Sequence, residues 1–570
     1  MKNFLTVLML FISSICFGSN ELDQELNTFY KKTGTIVDVR PVDDYTFVRR
    51  LYLDIAGRIP TLAEIKDFGI DTNPAKKSIL IDKLLYSEDY TNNFYNFFGD
   101  LWRIRVERLA DNIQMKGYPY MQYVRDSIRS DKPYDIWVTE MLTAQDKPTE
   151  NGATGYLLRD DGMAFDNLAL TTQIFIGKNI SCAQCHDDPF SDYTQKQFYE
   201  LASFFDNENR ESRKDYRDIL TKVDSEIKAI NKNDRIDNGV RQLMASNLVS
   251  VRDVPTKQVR YPADYKYTNA KPGEIAVPVS LDGKIKTDGR AAIAKWIVSQ
   301  DDFSYAITNR IWENIVGNNL FYPQSLSDIN ISAESLGQRA EVIKFLGSYL
   351  KNNSYSLKSL IRLVVSSDFY SRPAYNGKLD SYMFQGVVVR RLTAYQIWDS
   401  MLTLILPDVN YTRINFDEYS TLVKVDWSKA GGQYMLDKQA AVRNWDAKLN
   451  NSFLKYNGVE LVRSCFNLKG QNGFIGLFLK EFGASERVLL DTTSNQGTVT
   501  QLLTLMNGPI LGIISDKKSN LMKNPDKNMI FMAVLGRPFN IVTEKSLIES
   551  QKTEDLVWTL LNTTEFLFKK

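Results

Sequence analysis

The sequence predicts a mainly α-helical protein with two helical domains, joined by a charged helix and a small β or extended connector. Apolar residues recur at three- and four-residue spacing in both halves of the chain, as at Phe47, Leu51 and Ile55, and this period gives a helix one apolar face. A chain of 570 residues is also longer than one hydrophobic core normally accommodates, which favours two domains.

The first domain is predicted over residues 40–206. Gly57 ends its first long helix, and Thr61 with Glu64 forms a capping box that begins the next one. Aromatic residues occur at helical spacing over residues 90–109, which is typical of a helix in a core. Further helices are predicted at residues 134–142, 168–176 and 195–205.

Residues 207–288 are predicted to connect the two domains. Their first part is highly charged and contains a predicted helix at residues 219–230, which indicates a solvated connecting helix. From residue 251 onward, apolar residues alternate between turn signals such as Pro272-Gly273, and this pattern predicts a small β element or an extended connector.

The second domain is predicted over residues 289–570 and is again helical. Apolar stripes at helical spacing define its elements. The predicted helices are residues 291–298, 305–316, 336–350, 357–365, 392–404, 499–506, 529–535 and 556–568.

The composition is that of a globular protein, with 43% hydrophobic and 24% charged residues. The 70 basic side chains balance the 69 acidic ones, so there is no surplus charge that would attract nucleic acid or an anionic membrane surface. We therefore expect no nucleic-acid partner.

Residues 1–18 are predicted to be a signal peptide. Lys2 supplies a positive charge, residues 4–17 form a short apolar run, and Gly18 is a small residue suited to cleavage. We expect the protein to be exported, to the periplasm or the extracellular space. No later segment has eighteen consecutive apolar residues, so we expect no membrane span in the mature chain.

The single histidine of the chain directly follows a pair of cysteines, in the order Cys182-Ala183-Gln184-Cys185-His186. Two thiols at this spacing can each add to one vinyl group of haem, and the next residue then places an imidazole nitrogen under the iron. We therefore expect Cys182 and Cys185 to attach a c-type haem and His186 to ligate its iron. The distal ligand would be a Met, a Lys or an open position, because no second His exists.

This site predicts electron transfer, or a haem-dependent oxidation coupled to an unknown substrate or redox partner. Pro189, Phe190, Phe204 and Phe205 would contribute to an apolar wall beside the haem. No triad or nucleotide-binding fingerprint occurs in a convincing context, so the sequence indicates no catalytic residues.

Two other interpretations of the same residues stay open. In the first, Cys182, Cys185, His186 and Asp188 hold a single zinc or iron ion without a porphyrin. In the second, Cys182 and Cys185 form a disulfide, and the protein is a secreted scaffold or glycan-interaction protein without redox activity or cofactor. Cys465 has apolar neighbours and is expected to be a buried free thiol.

Several blocks of the chain together resemble a family of two-domain secreted proteins common in planctomycetes. They are residues 47–61, 181–190, 390–394, 506–509 and 535–538. In that family a cytochrome-c-like N-terminal domain precedes a second domain of unknown function, so the resemblance implies a haem domain and a partner domain of undefined activity. Members often read C-x-x-C-H-x-H-P-F, whereas this chain has Asp188 in place of the second His.

Overall fold

The computed structural model describes residues 20–570 except 112–114, 161–162, 206–207, 211–215, 232–237, 254–257, 287–288, 322–330, 332–336, 413, 491–492, 495 and 524–525. The regular structure in this part is overwhelmingly helical, which confirms the prediction of a mainly α protein. The predicted signal peptide, residues 1–18, lies outside the described residues.

The N-terminal half and the connector contain short to medium helices. They are α1 (Glu21–Thr33), α2 (Asp44–Leu51), α3 (Leu62–Ile70), α4 (Lys76–Leu85), α5 (Glu88–Leu101), α6 (Tyr118–Arg129), α7 (Tyr134–Leu142), α8 (Gly155–Leu158), α9 (Ala164–Ile176), α10 (Gln195–Ala202), α11 (Arg217–Asn231) and α12 (Asn238–Ser246). A π-helical turn, Tyr52–Ala56, extends α2.

The C-terminal half has the same character. Its helices are α13 (Arg290–Ser299), α14 (Asp301–Val316), α15 (Ala340–Asn352), α16 (Leu357–Val365), α17 (Asp368–Ser371), α18 (Ala394–Ile405), α19 (Phe416–Val423), α20 (Gly432–Ser452), α21 (Phe474–Glu481), α22 (Val499–Asn507), α23 (Pro509–Ile514), α24 (Lys527–Leu535), α25 (Lys545–Ser550), α26 (Thr553–Leu561) and α27 (Thr564–Leu567).

Strands are short and form antiparallel pairs in the part of the chain that the structure describes. β1 (Glu208–Arg210) pairs with β2 (Val249–Val251), β3 (Arg390–Arg391) pairs with β6 (Phe568–Lys569), and β4 (Lys455–Tyr456) pairs with β5 (Val459–Glu460). The β1–β2 pair lies within the connector, where the charged helix α11 packs against α20.

The predicted helix over residues 90–109 is wrong beyond residue 101. Helix α5 begins after Ser87, whose side chain accepts a hydrogen bond from the backbone N–H of Tyr90, and it ends at Leu101. Arg103 has a φ of 56°, in the left-handed region that an α-helix does not use. The chain therefore turns there, and residues 104–108 run on as a loop.

Both halves of the chain contribute to one hydrophobic core. Helices α1 and α4 of the N-terminal half pack against α16 of the C-terminal half, and α9 packs against α14. The buried side chains of the two halves form one continuous cluster. The predicted connector therefore joins two halves that also pack directly against each other through apolar side chains.

Buried ion pairs also cross between the halves. Arg463, whose side chain is 1% exposed, lies 2.5 Å from Asp89 and 2.7 Å from Asp399. Arg58 lies 2.8 Å from the second carboxylate oxygen of Asp89. Burial favours the neutral form of Asp89, but the two arginines outweigh it and hold its pKa below the usual range.

The C-terminus is fixed to the N-terminal half. Lys569 Nζ lies 2.7 Å from Asp54 Oδ1, and both side chains are almost fully buried. Arg50 donates a hydrogen bond of 3.0 Å to the backbone carbonyl of Lys570. No helix among the described residues is both long enough and apolar enough to cross a bilayer.

Candidate functional site

Cys182 lies on a short 3₁₀ turn, Ser181–Gln184, that follows helix α9, and Cys185 is the capping residue at the end of this turn. Gly177 ends α9 with a φ of 59°, a left-handed conformation that glycine adopts without strain. Ala183 between the cysteines is fully buried and anchors the turn to the core. Both cysteines are exposed free thiols, so their sulfur atoms are accessible to a reaction partner.

His186 is exposed and continues the same turn. Its Nδ1 lies 2.8 Å from the backbone carbonyl oxygen of Asp187. Because a carbonyl oxygen can only accept, Nδ1 carries a proton in this contact, and in the neutral imidazole Nε2 then keeps its lone pair. Metal-ligating histidines are commonly oriented by a hydrogen bond of this kind.

Gln195, the first residue of helix α10, fixes the cysteine turn through hydrogen bonds. Its side-chain amide nitrogen lies 3.2 Å from the carbonyl oxygen of Gln184 and 3.1 Å from that of Cys185. Its backbone N–H donates to Asp187 Oδ1 at 2.8 Å, and Gln195 itself is buried. The turn with the two thiols is therefore fixed to a helix end by charged and neutral hydrogen bonds.

A cluster of tyrosines packs behind this turn. The rings of Tyr199, Tyr261, Tyr265 and Tyr267 follow one another with centroid separations of 5.8, 5.0 and 5.5 Å. The hydroxyl oxygen of Tyr267 accepts a 2.7 Å hydrogen bond from the backbone N–H of Asp187. Burial, with a smaller contribution from Cys185, raises the pKa of Tyr199 above its ordinary value, so this phenol stays protonated at neutral pH.

Asp188 organises the loop after the histidine. Its Oδ1 accepts from the backbone N–H of Phe190 at 2.9 Å, and its Oδ2 accepts from Ser191 Oγ at 2.7 Å. Within the ranges that the structure describes, no group of three or more His, Cys, Asp and Glu side chains is arranged to hold a metal ion. Both oxygens of Asp188 instead serve the turn.

The aromatic side chains expected beside the haem differ in their exposure to solvent. Phe204 and Phe205 are buried in the core, whereas Phe190 is 90% exposed. The turn held by Asp188 directs the chain outward at this position. An apolar wall at the site would therefore come from the buried side of the turn and not from Phe190.

Cys465 is a buried free thiol, as the sequence predicts. Burial raises the pKa of the Cys465 thiol to about 12, so it is protonated and unreactive at neutral pH. The exposed thiols of the described chain are therefore those of Cys182 and Cys185.

Sequence reasoning found the thiols and the imidazole but missed the residues that position them. Thr194 and Gln197 form a capping box at the start of α10, and this pattern marks the helix end on which Gln195 lies. Tyr267 is remote in sequence and only the fold brings it to Asp187, so no local signal would have identified it.

The fold and this turn define a mainly α protein with an exposed Cys-x-x-Cys-His site in its N-terminal half. Residues 22–210 match the model of PSCyt2, described as a protein of unknown function (DUF1549), and residues 289–553 match that of PSD1, described as a protein of unknown function (DUF1553). The two matched regions follow one another in this order, and the cysteine–histidine turn lies within the first. No curated protein and no solved structure matches the chain.

Proposed function

We propose that this protein is an exported carrier of one c-type haem, attached through Cys182 and Cys185 and ligated by His186, and that it transfers electrons or carries out a haem-dependent oxidation. The observation that carries the proposal is the state of the turn: two accessible thiols precede an imidazole whose Nδ1 is occupied and whose Nε2 is left for a ligand. Each of these groups suits its role in haem attachment.

The side chains of this site have separate tasks. Each thiol would add its S–H across one vinyl C=C bond, which forms a thioether without a leaving group. Nε2 of His186 would donate its lone pair to iron, and the carbonyl of Asp187 holds the ring in the tautomer that permits this. Gln195 keeps the backbone of the cysteine turn in place. A bound haem supplies one-electron chemistry.

Among the residues that the structure describes, no group of three or more His, Cys, Asp and Glu side chains is arranged to hold a metal ion. Both carboxylate oxygens of Asp188 accept hydrogen bonds within its own loop, so its position is explained by the loop and not by a metal ion shared with Cys182, Cys185 and His186. Export, expected from residues 1–18, fits the proposal because haem attachment of this type takes place outside the cytoplasmic compartment.

The proposal is tested by asking whether haem is covalently attached to the protein. The full-length protein is produced in a host with haem-attachment machinery and then denatured in acid, and covalent haem absorbance is measured. We expect haem to remain bound in the wild type and in Cys465→Ala, whose sulfur is buried, and to be lost in Cys182→Ser/Cys185→Ser.

A colourless wild-type protein from such a host would overturn the proposal. Mass spectrometry of the same sample then shows whether Cys182 and Cys185 have formed a disulfide. That outcome would favour the secreted scaffold without redox activity.

A further inference from the structure

A cavity of about 570 Å³, lined by both polar and apolar groups, lies at the junction of the two family regions, on a different part of the fold from the cysteine turn. The loop of residues 104–108, which follows helix α5, forms one wall. Residues 464–488, which include helix α21, form the opposite wall. Binding sites are often found where two domains meet, and pockets for small molecules commonly measure about 300–1,000 Å³.

Four cationic side chains line this cavity, Arg105, Arg108, Lys480 and Arg487, together with Glu107 and Glu486. The charges balance once Asp111 and Asp100 are counted, because these two carboxylates lie outside the lining and pair with its three arginines. Arg105 and Arg108 both contact Asp111, at 2.9 and 3.2 Å. Lys480 contacts Glu486 at 2.6 Å. A ligand with a net charge of either sign would meet no surplus of the opposite charge here, so the wall favours a neutral molecule.

The uncharged polar side chains of the wall can both donate and accept hydrogen bonds. Gln471 and Asn472 are exposed side-chain amides on the rim, and Asn467 lies beside them. Gln471 Oε1 accepts a 3.2 Å hydrogen bond from Lys480 Nζ, which leaves a Gln471 amide hydrogen and the Asn472 amide to face a ligand. An amide presents two donor hydrogens and one acceptor oxygen. A hydroxyl group can also donate and accept hydrogen bonds, so the two groups are complementary. Leu479 and Val488 add apolar surface, which suits the C–H face of a sugar ring.

One part of the wall is held rigidly before any ligand arrives. Arg487 has a φ of 56°, a conformation that costs free energy in a residue other than glycine and is common at functional sites. Its guanidinium donates to Asp100 Oδ1 at 2.8 Å and to the carbonyl of Ile104 at 3.2 Å. Tyr395 OH donates to the same Asp100 oxygen at 2.7 Å. Pre-ordered side chains reduce the entropy cost of binding.

We propose that this cavity binds a neutral, hydroxyl-rich small molecule of about disaccharide size. The balanced charges select against acids and amines, the amides hydrogen-bond hydroxyl groups, and the apolar patches cover ring carbons. The site draws residues from both family regions, so it forms only when the two halves are assembled.

The test uses the full-length protein and saturation-transfer NMR with single sugars at 10 mM. The neutral probes are cellobiose, maltose, lactose and xylobiose, and the charged probes are glucuronic acid and glucosamine. We expect saturation of at least one neutral disaccharide and weaker or no signal from the charged sugars. Absence of a signal from every neutral probe, or a stronger signal from a charged one, would overturn the proposal.

A double variant locates the binding. Gln471→Ala/Asn472→Ala removes two exposed amides, so we expect unchanged thermal unfolding and at least a tenfold loss of affinity. Gln433→Ala is the matched control, because Gln433 is an exposed amide on α20 that contacts only its own helix in the described structure. Unchanged affinity in the double variant would contradict the site.

The cavity proposal stands apart from the haem proposal. Cys182→Ser/Cys185→Ser leaves all the residues of the cavity in place, so its sugar affinity should equal that of the wild type. A protein that binds haem but no sugar, or sugar but no haem, would settle the two proposals separately.

Discussion

Gln195 shows how one buried side chain positions the cysteine turn. Its amide nitrogen serves the carbonyl oxygens of both Gln184 and Cys185. Gln195→Glu keeps the size of the side chain but places a carboxylate oxygen against the two carbonyl oxygens. None of these atoms can donate a hydrogen bond, so we expect the free energy of unfolding to fall by about 2 kcal/mol or more. Urea denaturation followed by circular dichroism measures this change.

The control for that substitution lies two residues further along the same helix. Gln197 accepts hydrogen bonds through Oε1, from the backbone N–H and the hydroxyl of Thr194. Gln197→Glu preserves this acceptor and places a negative charge near a helix N-terminus, where it is favourable. We expect no loss of stability, and equal losses in the two variants would contradict the role assigned to Gln195.

Lys569 makes stability depend on pH near neutrality. Burial and then Arg390 lower the pKa of Lys569 from 10.5 to about 7, although Asp54 opposes them. Between pH 7 and pH 10.5 the unfolded chain therefore holds a proton that the folded chain lacks, and the free energy of unfolding rises with pH in this window. The slope is at most about 1.4 kcal/mol per pH unit.

The measurement compares urea unfolding of the wild type, Lys569→Met and Lys570→Met at pH 7.0, 8.0 and 9.0. In Lys569→Met, the part of the increase in unfolding free energy with pH that Lys569 causes should be absent. Lys570→Met should keep the pH dependence of the wild type, because the Lys570 side chain is exposed. Parallel pH profiles for the wild type and Lys569→Met would contradict the lowered pKa.

At the residue scale, the sequence was informative where chemistry is local. The Cys182-x-x-Cys185-His186 run could be recognised directly, and so could the buried thiol of Cys465 from its apolar neighbours. The partner of Lys569 could not, since Asp54 is separated from it by 515 residues. Pairings of that range depend on the whole fold and leave no local pattern.

At the scale of elements, the junction between α2 and α3 rests on one glycine and one asparagine. Gly57 has a φ of 68°, and a Cβ built on it would lie 2.6 Å from Asn93 Oδ1. Asn93 in turn donates to the carbonyls of Asp54 and Ile55 at 2.9 and 3.2 Å. These carbonyls belong to the π-helical turn, which explains why the asparagine approaches so closely.

Gly57→Ala should therefore lower the free energy of unfolding by at least about 2 kcal/mol, from backbone strain and from the clash. In the Asn93→Ala background the clash is absent, so the cost of Gly57→Ala should be smaller. Gly34→Ala is the control, because Gly34 has a φ of 70° but open space around it. Thermal denaturation of the four variants measures the coupling, and strict additivity would contradict it.

Helices could be predicted from the sequence where the capping residues and the spacing of the apolar residues indicate the same helix bounds. Thr61 and Glu64 begin α3 as the capping box indicates, and the predicted helices at residues 134–142 and 357–365 have the observed bounds. The predicted helix at residues 556–568 is wrong at its end, because Thr563 caps a new short helix. Helix α20 went unassigned since few of its residues are buried, which leaves almost no apolar stripe to detect.

At the scale of the whole molecule, the two family regions depend on each other. Asp23 accepts hydrogen bonds from the backbone N–H groups of Asp368 and Phe369, at 2.9 and 3.0 Å. Arg49 donates to the carbonyls of Val534 and Phe566. Charged groups of the N-terminal half thus satisfy backbone groups of the C-terminal half in a buried setting, where leaving them unpaired is costly.

A fragment of residues 20–288 should therefore fail to fold on its own. It would expose the apolar faces of α1 and α4 that α16 covers, and it would leave Asp89 without Arg463. We expect the full chain to unfold in one transition by circular dichroism and by tryptophan fluorescence, and the fragment to show broad, non-cooperative unfolding and rapid amide exchange. A fragment with a sharp transition and protected amides would show that the first family region is an independent domain, and the shared core would then be a docking surface instead of a condition for folding.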